Sequence, residues 1–168
     1  MLNLDIVQAD IESWIVNFVE VPHPALGGWA PCPYARKARL GRDYDVRLGL
    51  APIHDLIKIS KIGMGGKSVI AIAYNPNHYT HEEFSSALDI ANREFLLPNN
   101  LLALEDHPAD PEIVNGITMN QGTYALALVQ RLSDLDHKAK LVADKGFYKE
   151  WPEEYLTALF QHREDPRL

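Results

Sequence analysis

Three features of the sequence predict an α+β fold. Val69, Ile70, Ala71, Ile72 and Ala73 form the near-continuous apolar run that a strand buried on both faces requires. A capping box, Thr80 with Glu83, opens a helical pattern of Phe84, Ala87, Leu88, Ala91 and Phe95 that stops at Pro98. Leu101 to Leu104 then supplies a short strand and completes a βαβ unit, which normally makes a right-handed crossover between parallel strands. The expected architecture is a small mixed sheet of four or five strands with a ferredoxin-like βαβ core and helices mainly on one face.

The remaining elements follow the same rules. Asp10 reads as the N-cap of a first helix that carries Ile11, Trp14, Ile15, Phe18 and Val19 on one stripe and closes at Pro22. Four prolines and two glycines between Val21 and Pro33 make a rigid loop, and Pro33 at a first helical position starts a short helix that Gly41 stops. Val46 to Leu50 and Leu56 to Ile59 read as short strands, the second joined to Ser68–Tyr74 by a glycine-rich hairpin turn. Tyr124 to Val129 reads as a strand from its alternation. Ser133 with Asp136 opens a helix that ends near Gly146, and Pro152, Glu153 and Glu154 open the last one.

Composition sets the limits on function. With 168 residues, 46% hydrophobic and 23% charged, the chain is expected to be one globular domain over residues 1–168. A net charge of -7 argues against a nucleic-acid partner, because neutralising phosphates needs a basic face. The exception is the cluster Arg36, Lys37, Arg39 and Arg42, a local anion site in prospect. The single cysteine excludes an intrachain disulfide, and the N-terminus has no basic signal-peptide segment. No apolar run approaches the roughly 20 residues a bilayer crossing needs. A cytoplasmic protein without membrane association is the expectation.

One segment is chemically loaded. Cys32 begins Cys32-Pro33-Tyr34-Ala35 at an expected helix start, where free backbone N–H groups, Arg36 and Lys37 would favour a thiolate. The motif is close to that of glutaredoxin, but Ala35 replaces the second cysteine and a loop precedes it where that fold needs a strand. Cys-Pro also occurs in some haem-binding segments, and a lone cysteine is often simply packed. His107, with Asp106, follows the strand Leu101–Leu104 and sits where open α/β sheets place ligands, so it suits a general base or a metal ligand. His23 lies in the rigid loop near Cys32, and His23, Cys32 and His107 are the one metal set the sequence suggests, conditional on the fold bringing them together. Gly63, Gly65, Gly66 and Lys67 do not make a nucleotide loop, since a strand follows where a helix N-terminus is needed. Asn115, Thr118 and Asn120 lie between two elements and can either read a polar ligand or form turns. Phe147, Tyr148, Trp151 and Tyr155 are expected to staple the last helices or to form a homo-oligomer contact.

Cys32-Pro33-Tyr34-Ala35, His107-Pro108, and the run from Thr118 through Leu126-Ala127-Leu128 to Ser133 resemble an uncharacterised bacterial domain family over most of the chain, from Trp14 to Ala139. Its members carry a Cys-Pro-Phe-Ala-like motif after a first helix, a later His-Pro, and a Thr-Asn segment leading into a Leu-x-Leu strand. Asn120 stands where that family usually has arginine, and Ala127 where it usually has histidine. The resemblance implies an arrangement rather than a reaction, and it pairs Cys32 with His107.

The resulting expectation is a small enzyme acting on a small anionic or polar molecule. Cys32 is the nucleophile or metal ligand, His107 and Asp106 are its catalytic partners, and Arg36, Tyr34, Asn115, Thr118 and Asn120 bind substrate. Two alternatives stay open: a non-catalytic binding or assembly protein with a structural cysteine, and a haem or transition-metal protein using Cys32 and His107.

Overall fold

A computed structural model describes all 168 residues. Helix α1 spans Leu4–Trp14 and runs on through a π-helical turn, Ile15–Val19. Its N-cap is Asn3, whose side chain accepts from the Ile6 N–H. The expected cap, Asp10, lies inside the helix, and its carboxylate instead accepts from the Tyr124 hydroxyl at 2.5 Å. The proline-rich loop contains one short turn, Pro24–Leu26, and α2 covers Ala35–Leu40 with Gly41 as its C-cap.

Strand β1 (Tyr44–Leu48), helix α3 (Pro52–Ile62) and strand β2 (Val69–Tyr74) come next. The expected strand Leu56–Ile59 is therefore part of a helix. Pro52 presets the first turn, and the Asp55 carboxylate accepts from the Leu50 and Ala51 N–H groups at 2.9 and 3.1 Å. Leu56 and Ile59 then bury on one helical face, and this packing overrides the β preference of the isoleucines. The hairpin-turn reading of the glycines falls with it, since Gly63 ends α3 at φ 88°.

Helix α4 (His81–Ala91) has the predicted capping box and continues through Asn92–Leu96 and Leu97–Asn99. Strand β3 (Leu101–Asp106), a two-stranded ribbon of β4 (Ile113–Val114) and β5 (Ile117–Thr118), strand β6 (Ala125–Arg131), α5 (Leu132–Ala143) and α6 (Glu153–Leu159) complete the chain. No helix is long and apolar enough to cross a membrane.

The main sheet has the order β1-β2-β6-β3. β1 is parallel to β2, and β6 is antiparallel to both of its neighbours. β2 and β3, joined by α4, therefore run in the same direction with β6 inserted between them, a split form of the expected βαβ unit. The fold is α+β with a mixed sheet, as predicted. Asn92 protects the β3 edge: buried at the end of α4, it donates to the Ala103 carbonyl at 3.0 Å and accepts from the Ala103 N–H at 2.8 Å.

Strand alternation divides the core. Ile70, Ile72, Tyr74, Ala103, Ala127 and Val129 point to one face, where Leu56 and Ile59 of α3 and Phe84 and Leu88 of α4 cover them. α3 and α4 cover this face, and α1 lies on the other. There Val7 and Ile11 pack on Val46, Ala71, Ala73 and Leu126. A separate core of Leu26, Val114, Ala139, Val142, Phe147, Trp151, Leu156 and Phe160 holds α5, α6 and the proline-rich loop together without a strand of the main sheet.

Gly49 sits where the chain leaves β1, and a Cβ there would lie 2.1 Å from Cε1 of Tyr74. Tyr74 cannot yield easily, being buried with its hydroxyl donated to Asp55 at 2.8 Å. Gly49→Ala is expected to destabilise the protein by more than about 2 kcal/mol in urea unfolding. A wild-type midpoint would contradict this packing.

Candidate functional site

An open cavity of about 1320 Å³ runs between the second sheet face and the C-terminal lobe and round the β3 edge to Ser85, Leu88 and Asp89 of α4 and Asn92 at its end. Its floor is built by Val69 and Ala71 of β2, Leu128 and Gln130 of β6, and Leu102 and Leu104 of β3, beside and partly beneath the end of α1. Trp14, Ile15 and Phe18 close one side, and Tyr148, Trp151 and Tyr155 form the roof. These three roof rings form a ladder with centroid spacings of 6.2 and 5.4 Å. Hydrophobic residues make up 28 of the 50 that line the cavity, and charged side chains are set among them. Trp14 and Trp151 also carry buried indole N–H groups with no acceptor. The aromatic group staples the last two helices as expected and also lines the cavity.

Cys32 lines this space beside Pro31, Pro33 and Tyr34. It is exposed to solvent, with protein atoms crowded round the thiol. Burial pushes its thiol above the usual range, against the opposing effects of the Tyr34 and Ala35 backbone N–H groups and the Lys138 charge. Because α2 begins only at Ala35, Cys32 lies outside the first helical turn, and the thiolate stabilisation expected of a helix start is weaker than the sequence suggests. Tyr34 lines the cavity as well, and its hydroxyl donates to the Lys138 carbonyl at 3.4 Å.

The expected partnership of Cys32 with His107 is not formed. His107 follows Asp106 at the end of β3, and neighbouring residues there point in opposite directions. Asp106 lines the cavity; His107 is packed by Phe84, with ring centroids 5.9 Å apart, on the α4 side. Its Nε2–H donates to the Tyr79 carbonyl at 2.7 Å, and its Nδ1 accepts from the Ala109 N–H at 3.1 Å. With both ring nitrogens engaged and the ring on another face, His107 is no base for Cys32. The metal set fails for the same reason. His23 uses Nδ1 to cap the Pro24–Leu26 turn, and no three His, Cys, Asp or Glu side chains are arranged to hold a metal ion.

Most of the expected substrate-binding residues have structural work. Asn115 donates to the carbonyls of Ala25 and Glu150 at 3.0 and 2.6 Å, tying the ribbon to two parts of the C-terminal core. Asn120 donates to Asp106 at 2.8 Å and accepts from the Glu112 N–H at 2.7 Å. Thr118 is exposed on β5, and neither it nor Arg36 lines the cavity. Lys37, Arg42 and Lys138 do.

The sequence reading missed Glu112. Desolvation, then the charge of Asp106, pushes its carboxyl up to about 7, while the Tyr155 hydroxyl donates to it at 3.3 Å. Asp106 is likewise raised by burial, although the Gln121 N–H and the Asn120 side chain hold it. Both line the cavity away from the Cys32 group, and Glu112 carries no motif that could have marked it.

Two outcomes are expected. Cys32 should alkylate more slowly than a free thiol near neutral pH; faster reaction would contradict a raised pKa. Folded Glu112 keeps its proton up to about 7, whereas the unfolded chain releases it near 4.5. Its ionisation therefore costs stability as pH rises through that window, with nothing lost below it and the full cost felt above. Glu112→Gln should flatten the slope and add on the order of 2 kcal/mol near pH 8 in urea titrations, and an unchanged stability–pH curve would count against it.

Comparison with protein-family models, with curated proteins and with solved structures gives no match, so the function is argued from this cavity.

Proposed function

We propose that the protein binds a large, flat, mainly apolar cofactor of the haem class, with Cys32 as the iron ligand. The observation that carries this reading is a lone thiol without a base, opening into a cavity of about 1320 Å³ walled by aromatic rings. That volume exceeds the roughly 300–1,000 Å³ of ordinary small-molecule sites. The aromatic ladder on one side and the leucine floor on the other suit a planar apolar body.

The state of the thiol favours a ligand over a nucleophile. A nucleophilic cysteine needs a base or a lowered pKa; Cys32 has no histidine partner, and burial keeps its proton on. A bound cation displaces that proton, and the Tyr34 and Ala35 N–H groups that favour the anionic sulfur would then tune it, as outer-shell donors do for metal-bound thiolates. When bound, a thiolate-ligated haem supplies chemistry at dioxygen or peroxide. Trp14, Phe18, Tyr148 and Trp151 would clamp the ring and keep water from it.

The test is titration of the purified protein with ferric haem, followed by absorption. Saturable binding at one equivalent with a dissociation constant below about 1 µM is expected. Cys32→Ala should shift the Soret band and weaken binding by about tenfold or more. Unsaturable uptake, or a Cys32→Ala spectrum identical to wild type, would remove the proposal.

A further inference from the structure

The cavity is electrically polarised. At the Cys32 end its lining includes Lys37 of α2, Arg42 just after it, Lys67 from the glycine loop, and Lys138 of α5. Asp106 and Glu112 line another part of the wall, where the Asp106 charge helps to hold the Glu112 proton. A surplus of cations along one wall of a chain with net charge -7 calls for a physical account.

The one carboxylate beside them offsets these cations only in part. Asp43, the carboxylate beside them, accepts from the Ser68 hydroxyl and from the Ser68 N–H at 3.0 Å. Ser68's hydrogen bonds, and behind them the charges of Lys138 and Lys67, hold its carboxyl below the usual range. Glu20 is engaged by Arg39 at 2.7 Å, and Asp136 by Arg163 at 3.4 Å. Lys67 donates its ammonium to the Arg42 carbonyl at 2.8 Å. Lys37, Arg42 and Lys138 make no salt bridge; Lys138 sits over the Tyr34 ring, 5.3 Å from its nitrogen, and attracts Asp43 from beyond contact distance. Lys37 and Arg42 are exposed, so they can meet an entering ligand without first being desolvated.

We infer that the cavity selects amphipathic organic anions, whose apolar body fills the space between sheet and aromatic roof and whose acid groups meet Lys37, Arg42 and Lys138. The inference sharpens the haem reading, since that macrocycle carries carboxylates, but it stands on the unpaired cations and the apolar cavity rather than on iron. It assigns the α2–α5 end as the carboxylate end. Ligands that carry a cationic group there, or none, are disfavoured.

The test compares two fluorescent probes of similar shape, anilinonaphthalene sulfonate and uncharged N-phenylnaphthylamine. In the combined variant Lys37→Gln, Arg42→Gln, Lys138→Gln, affinity for the sulfonate should fall by about tenfold or more while that for the amine changes by less than about twofold. Lys61→Gln, outside the cavity lining, should change neither. If the combined variant loses its circular dichroism spectrum, Lys37→Gln and Arg42→Gln singly should still lower the sulfonate-to-amine ratio. Equal losses for both probes, or a wild type that binds both alike, overturn the inference. Ferric haem and its dimethyl ester separate it from the preceding proposal. Probe discrimination without haem binding leaves the anion site and removes haem, whereas equal binding of haem and ester without probe discrimination leaves haem and removes the anion site.

Discussion

A β-sheet face has to be covered, and one face here is covered only in part. α1 is 11 residues long and packs on Val46, Ala71, Ala73 and Leu126, with Leu128 at the edge of that cluster, so Leu104 and Leu128 are only partly covered. The C-terminal residues that could cover those leucines build their own core instead, around Phe147, Trp151 and Phe160. Two apolar surfaces therefore face each other across a gap. Unfilled apolar space costs stability in proportion to its volume, and an occupant that binds only the folded state recovers it.

Polar clamps on opposite sides keep the gap from collapsing. The ribbon of β4 and β5 is tied to the lobe through Asn115 and through the Tyr155–Glu112 hydrogen bond, and to the end of β3 through Asn120 and Asp106. On the other side Tyr34 reaches the Lys138 carbonyl, and Cys32 donates its N–H to the Val19 carbonyl at 3.0 Å, fixing the thiol segment to the end of the first helix. Asn115, Asn120, Asp106 and Tyr34, which a sequence reading assigns to substrate or catalysis, are spent on these clamps. The raised carboxyl of Glu112 follows from the same arrangement, because holding the ribbon against the lobe brings it close to Asp106 in a partly dry space.

Much of the fold was legible because local signals agreed with tertiary packing. The buried run of β2, the Thr80–Glu83 capping box and the acidic first turn of α6 all appear where the pattern puts them. α3 was misread because Ile57 and Ile59 favour strands, while its decisive features, Pro52 and the Asp55 cap, act through the backbone. Of the residues the sequence singles out, Cys32, Tyr34 and Asp106 line the cavity, whereas His107, the expected partner of Cys32, does not. A one-residue step along a strand end reverses the side chain, so Asp106 and His107 cannot both reach the cavity, and no motif encodes which does. Lys138, Tyr148 and Tyr155 come from a distant part of the chain, and only the fold brings them over the sheet.

The central claim is that the gap between sheet and lobe is a site for a ligand and that Cys32 is its anchor. A crystal structure of the protein after incubation with ferric haem tests this most directly. The account predicts the macrocycle between the leucines of β3 and β6 and the ladder of Tyr148, Trp151 and Tyr155, with the Cys32 sulfur on the iron. A structure in which Leu104 and Leu128 pack against the C-terminal aromatics with no space between them, or in which haem sits only on the outer surface, would contradict it.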